Sequence, residues 1–434
     1  MQYVYASLLA LGCAIACVRP VWAVALLLCI FPIEQVLQSV SPFLRTSVLG
    51  NQLVNYLLGL VAILAAGNTA LRKPITMLGY PNPTLLVITV LLAWSAVTVL
   101  WSPGRELGMA VLASRWPYFV VMVLLGSYII CDLDDVRELV TALAVLGVVL
   151  CTIILVSPEF GSQWGRLGIL EGGKLQSNPL AIGELGGATL LVGALMRRTT
   201  LGVLGLPLRI AAVLLGTVVA IKSGSRGQFF FAVALSIAFF PVAAPVRSVT
   251  AFLSTAVGMA VIGGIVAFLA STLLEGFAAR RFSTEQLIYG SSSTLERFSN
   301  VMGLAGRWIS NPLAIAVGLG YYAYSSFGYG AEYSHVVAAD VLFELGIPGA
   351  LLYIAMIALM VRASRGLMRV AGSDPVERSA AALLLALMAF QFLLSNKQGE
   401  LWGVTSLFML ACIVTRLEIR YSRWPSADEA AVTA

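Results

Sequence analysis

The chain has 434 residues, 59% of them hydrophobic and only 11% charged, with a formal net charge of +6. An ordinary globular protein carries about 25% charged residues, so a soluble chain of this composition could not cover its surface. The figures exclude a large soluble catalytic domain, and they assign the basic excess to loops of a polytopic membrane protein rather than to a nucleic-acid partner.

Apolar runs separated by charged or Gly/Pro punctuation follow at about 2–18, 21–37, 50–68, 84–101, 112–131, 136–156, 179–196, 206–222, 228–246, 249–274, 338–361, 380–395 and 401–416. Since ~20 apolar residues cross a bilayer, the expected fold is all-α with 12 to 13 transmembrane helices. No basic region precedes the first run, which reads as a first helix and not as a cleaved signal. The six cysteines lie in or beside these runs without metal-site spacing, and disulfides are not expected there. The expected organisation is N-terminal helices over 1–274, a long outer loop over 275–337, C-terminal helices over 338–416 and a tail over 417–434.

Basic residues orient the spans. Arg19, Arg72, Lys73, Arg137, Arg197, Arg198, Arg209, Arg247, Arg362, Arg365, Arg369, Arg378, Arg416, Arg420 and Arg423 fall on one side by parity, 15 of the 27. Six of the other 12 lie in the two longest loops, 157–178 and 275–337, where the rule has little force. The richer side is therefore inside, and the long loop faces out. The run Asp132-Leu133-Asp134-Asp135 falls inside and opens a helix. Cap and first-turn carboxylates are the plainer reading of it; a metal–diphosphate motif is the alternative.

Four segments share the outer face. They are Trp164-Gly165-Arg166 with Asn178-Pro179, then Ser223-Gly224-Ser225-Arg226-Gly227, then Arg297 to Arg307-Trp308 and Gly318-Leu319-Gly320, and last Ser334-His335 with Phe343-Glu344-Leu345-Gly346. Taken singly, such an arginine is an interfacial anchor and a lone histidine is structural. Together they suit a diphosphate, because guanidinium groups fork onto phosphate oxygens and glycine lets backbone N–H groups approach. His335, the chain's one histidine, belongs to the side-chain type that accepts a proton near neutral pH. Glu344, near the mouth of an apolar span, is a functional candidate by default, as is Glu184.

Asn311-Pro312, Gly318-Leu319-Gly320, His335, Glu344-Leu345-Gly346 and Gly349, with Ser225-Arg226-Gly227 and the Arg166 to Asn178-Pro179 region, resemble the signature of the O-antigen ligase and polymerase superfamily. The resemblance implies a GT-C-like, metal-independent glycosyltransferase of the bacterial inner membrane, needing no cofactor, with its site facing the periplasm. Its donor would be an undecaprenyl-diphosphate-linked oligosaccharide. Its acceptor would be lipid A core for a ligase, or a second lipid-linked glycan for a polymerase, and both chemistries use the same donor and face. Carried over, His335 is the general base, and Arg226 and Arg297 hold the donor diphosphate; Arg166, Arg307, Glu344, Ser225 and Gly320 complete the substrate site. The family commonly has His-Asn where this chain has His335-Val336. The competing class is a transporter or flippase for a lipid-linked or anionic glycan, which requires polar groups at mid-membrane in broken helices.

Overall fold

A computed structural model describes residues 2–73, 77–163, 165–172, 174–196, 202–243, 292–328, 333–372 and 374–423, with scattered positions between 248 and 268. The described chain is almost entirely helical, as the composition requires of a multi-pass membrane protein. Among the described residues, eight helices are long and apolar enough to cross a bilayer: Leu49–Arg72, Pro83–Trp101, Arg105–Ile129, Leu133–Val156, Gly202–Lys222, Arg226–Ala243, Val337–Val370 and Pro375–Gln398. A ninth is the pair Val21–Leu28 and Ile30–Val40, bent by 67° where a single straight span was expected. Pro32 explains the break: it has no N–H, and its ring clashes with the carbonyl four residues back, at Leu28.

Of the other expected spans, Gln2–Val18 and Pro179–Leu195 form apolar helices of 17 residues. The 401–416 run becomes a short 3-10 turn, Leu401–Gly403, followed by a helix, Thr405–Arg423, whose second half carries Arg416, Glu418 and Arg420. The span expected over 249–274 falls mostly outside the described residues. The fifth span starts earlier than expected, at Arg105, so its charged first turns precede the apolar run.

Two departures from a purely helical chain matter. The 157–178 loop folds into a three-stranded antiparallel meander, Phe160–Gln163, Arg166–Glu171 and Lys174–Leu175. The long 275–337 segment, where described, is mostly structured: an amphipathic helix at Ser292–Ile309, a short one at Pro312–Val317 and a 3-10 turn at Ala323–Phe327. Local sequence sets several helix starts. Asn82-Pro83, Asn178-Pro179 and Asn311-Pro312 each put an Asn side chain on the free N–H groups of the first turn, with proline where no N–H is needed.

The chain divides into two compact units that alternate along the sequence. The first comprises Met1–Thr76, Ile129–Leu287 and Ala371–Phe390; the second comprises Met77–Tyr128, Ile288–Val370 and Gln391–Ala434. In the first, the 179–195 and 205–222 helices approach backbone to backbone. A Cβ on Gly186 would meet Ala220 N at 2.5 Å, and one on Gly216 would meet Leu190 N at 2.6 Å, the small-residue packing typical of membrane helices. The parity sides hold inside this unit. Arg72 donates to the Val18 carbonyl, Arg19 pairs with Glu138 and Lys73 with Asp132, while Arg45 pairs with Glu171 of the meander.

Candidate functional site

The Asp132 run is a helix cap, as its position before Val136-Arg137 suggested. Asp132 accepts from Asp135 N at 2.9 Å and Asp135 accepts from Asp132 N at 3.3 Å, a closed capping box on the 133–156 helix. Lys73 Nζ lies 2.9 Å from Asp132 and 2.6 Å from Asp135. Burial pulls the Lys73 pKa down, but hydrogen bonds and charge from the two aspartates outweigh it and raise the value overall. Among the described residues, no three His, Cys, Asp or Glu side chains converge in a way that could hold a metal ion.

The expected site residues divide between the two units. Arg166, Ser225 and Arg226 belong to the first. Arg166 is exposed on the second strand of the meander. Ser225 is buried in the turn that opens the 226–243 helix, its N–H on the Ser223 hydroxyl at 3.2 Å. Arg226, half-buried, is the first residue of that helix. The tight turn packs on the 179–195 helix at Gly183, where a Cβ would meet Ser223 Oγ at 2.6 Å and Ser225 Cβ at 2.8 Å. Gly183 thereby sets how Arg226 is presented.

Arg297, Arg307, Gly320, His335 and Glu344 belong to the second unit. Its organising feature is a break in the 337–370 helix at Gly346, whose φ of 67° and ψ of −161° are not helical. Pro348 cannot donate to the Glu344 carbonyl, and the turn at Gly346 breaks the regular bonding to its neighbours. Freed carbonyls at membrane depth need donors. Leu319 N supplies Phe343 O at 2.9 Å, Gly320 N supplies Glu344 O at 2.9 Å, and Trp94 Nε1 supplies Leu345 O at 2.9 Å. The Gly318-Leu319-Gly320 segment thus lies along the break, and Trp101 Nε1 donates to Gly318 O at 3.2 Å.

The Glu344 side chain completes this clasp. Its two oxygens accept from the N–H groups of Tyr322 and Tyr324, each at 2.9 Å. Tyr322 has a left-handed φ of 68°, so the carboxylate stabilises a turn that a non-glycine residue resists. Glu344 and Gly320, both expected at the substrate site, are engaged by the chain itself. Arg307 is exposed and lies over the Phe327 ring, 4.3 Å from its centroid.

Arg297 and His335 come together. The Arg297 guanidinium, anchored on the Lys397 carbonyl at 2.8 Å, is close enough for its charge to act on the imidazole. His335 sits at φ 67° with Tyr333 edge-on at 4.5 Å, and among the described residues its buried Nδ1 has no hydrogen-bond partner. Burial, and after it the charge of Arg297, push its pKa below the ordinary 6.5. The ring is therefore neutral at pH 7, in the form that can accept a proton.

Four polar residues that the sequence did not single out belong to the same unit. Asp340 and Glu400 are buried at 5% and 7% exposure, and Glu400 lies 3.6 Å from Arg115. Asn396 accepts from Ala338 N at 3.2 Å, at the start of the 337–370 helix. Asp340 stands one helical turn before Glu344, and the polar run from Asn396 to Glu400 interrupts two apolar spans. Those were the available signals; what was missing was the pairing of distant segments. No protein-family model matches the chain, and no curated protein matches it.

Proposed function

We propose that this chain is a glycosyltransferase of bacterial surface-polysaccharide assembly. It transfers an undecaprenyl-diphosphate-linked glycan to a sugar hydroxyl at the outer face of the inner membrane, as a repeat-unit polymerase or an O-antigen ligase. The observation that carries this reading is the left-handed turn that holds His335, where burial and then the Arg297 charge lower the imidazole pKa and favour the form that accepts a proton. Residues held in sparsely populated backbone conformations gather at functional sites.

In the reaction, the acceptor oxygen bonds to the anomeric carbon as the bond from that carbon to the diphosphate oxygen breaks. The hydroxyl proton passes to His335, and the electron pair leaves with undecaprenyl diphosphate. Arg297 meets the charge that develops on the leaving group, where preorganised donors act most strongly, and the resemblance gives Arg226 the same role. Arg166, Arg307 and Ser225 serve the rest of the donor and acceptor. Glu344 and Gly320 keep the clasp closed, so that the turn carrying His335 starts from a fixed helix.

Purified full-length protein, given an undecaprenyl-diphosphate-linked repeat unit, should produce longer ladders on the lipid carrier if it is a polymerase, or modified lipid A if lipid A core is offered to a ligase. His335→Ala and Arg226→Ala should abolish either product while inserting normally. Full-length surface polysaccharide restored by these variants in a deletion strain would sink the reading. A second reading, a transporter or flippase for the same lipid-linked glycan, is favoured by the broken helix at Gly346. It expects glycan movement across proteoliposomes without a new glycosidic bond.

A further inference from the structure

The helix that follows His335 opens without a side-chain cap of its own. The residue before it is Val336, which offers no side-chain acceptor to the free N–H groups of the first turn. Ala339 N and Asp340 N turn back on the Val336 carbonyl, at 2.9 and 3.0 Å. Ala338 N instead donates to the side-chain oxygen of Asn396 at 3.2 Å, 58 residues on in the sequence. The cap comes from another helix.

Asn396 lies in the last turn of the 375–398 helix and is itself fixed there. Its amide donates to the Phe392 carbonyl at 3.0 Å and to the Ser395 hydroxyl at 3.2 Å. The last carbonyls of a helix have no partner within it. One of them, that of Lys397, accepts from the Arg297 guanidinium at 2.8 Å. A cation is favoured at that end by the helix dipole. Consecutive residues at one helix end thus hold both groups: Asn396 holds Ala338, which follows closely on His335, and Lys397 holds Arg297.

The His335 turn has need of such a hold, because a residue with a Cβ does not rest at φ 67° unaided. Ser334 Oγ accepts from Val336 N at 3.1 Å and shapes the turn locally. That contact does not set where the turn stands relative to Arg297, which comes from a separate helix, 292–309.

We propose that Asn396 is a positioning residue for this pair: by capping the helix after His335 from the same helix end that anchors Arg297, it sets the separation of imidazole and guanidinium. The separation is a matter of geometry, and only its effect on rate rests on the transferase reading. The elements that meet here also carry Asp340 and Glu344 on the 337–370 helix, and Lys397 and Glu400 at and after the end of the 375–398 helix. Arg297 is the charge that acts on the ring.

Two measurements on the full-length protein in nanodiscs test this. One is the titration midpoint of the 15N-labelled imidazole, a single signal because the chain has one histidine. The other is transfer from an undecaprenyl-diphosphate-linked repeat unit of the host polysaccharide. Asn396→Ala removes the cap and should raise the midpoint by part of the rise that Arg297→Gln causes, since the ring moves away from the guanidinium. In an Arg297→Gln background the same substitution should leave the midpoint where Arg297→Gln has put it. In Asn396→Ala kcat should fall by up to roughly 100-fold, the cost of a misplaced catalytic group. If Asn396→Ala fails to fold, Asn396→Leu, close to asparagine in shape and suited to an apolar helix, loses the same oxygen and is read in the same way.

An unchanged midpoint in Asn396→Ala, or in Asn396→Leu where that variant stands in, overturns the proposal. So does an equal rise in the Arg297→Gln background, which marks a general loosening around the ring and not a lost separation. The expected midpoints, together with full transfer by His335→Ala, uphold the positioning and remove His335 from the chemistry. Unchanged midpoints, with transfer abolished in His335→Ala, dismiss Asn396 and leave the transferase reading standing.

Discussion

At the residue scale, the sequence marked His335 and Arg297 by type and neighbourhood, and the structure supplied the reason for pairing them. Burial is the larger influence on the imidazole, with the Arg297 charge second, and both disfavour its protonated form. The sign follows: a value below 6.5 leaves the ring neutral at pH 7, and proton acceptance is lost as pH falls through that lowered value. Histidine labelled with 15N gives one imidazole, since the chain has one histidine. Its titration midpoint should lie below 6.5, and Arg297→Gln should raise it without reaching 6.5, because burial persists. An unchanged midpoint in that variant removes Arg297 from the surroundings of the ring. Glu400 escaped the sequence because a carboxylate beside an apolar run carries no sign of which distant guanidinium it meets.

At the element scale, the stretch from Glu344 to Gly349 explains why the 337–370 helix breaks and what fills the break. Gly346 takes a left-handed φ, Pro348 withholds a donor, and the freed carbonyls bind the Leu319 and Gly320 N–H groups. Glu344 then holds the N–H groups of Tyr322 and Tyr324. Glu344→Ala leaves both buried donors without an acceptor, at about 1–3 kcal/mol each. Thermal unfolding in detergent should show a large loss, with Glu344→Gln, which retains one carbonyl oxygen, falling between. Gly318→Ala should be as harmful, because φ is +86° and its Cβ would run into the Glu344 carbonyl. Equal stability of Glu344→Ala and wild type would refute the clasp. The Asp132 cap was legible locally, since a capping box needs only residues three apart; the clasp joins residues 20 or more apart and was not.

At the scale of the whole molecule, alternation of apolar runs and basic loops gave each loop a side. The contacts inside the first unit agree with that parity, bringing Arg72 to Val18 and Lys73 to Asp132, and Arg45 to Glu171. Cysteines introduced at Arg166 and Arg307, both exposed, should be labelled by a membrane-impermeant maleimide in intact spheroplasts. One at Arg365, also exposed, should react only after permeabilisation. The reverse pattern, or labelling of all three, overturns the orientation.

The sequence by itself determined that the chain is a helical membrane protein, where its apolar runs fall, and which caps open its helices, because hydropathy and capping are local properties. Tertiary structure alone decided that the Leu319 and Gly320 N–H groups fill the break at Gly346 and that Glu344 holds the Tyr322 and Tyr324 backbone. Those outcomes depend on how buried polar groups find partners across the fold. In an apolar interior an unpaired N–H or carboxylate is too costly to leave, so the partners it finds fix the site.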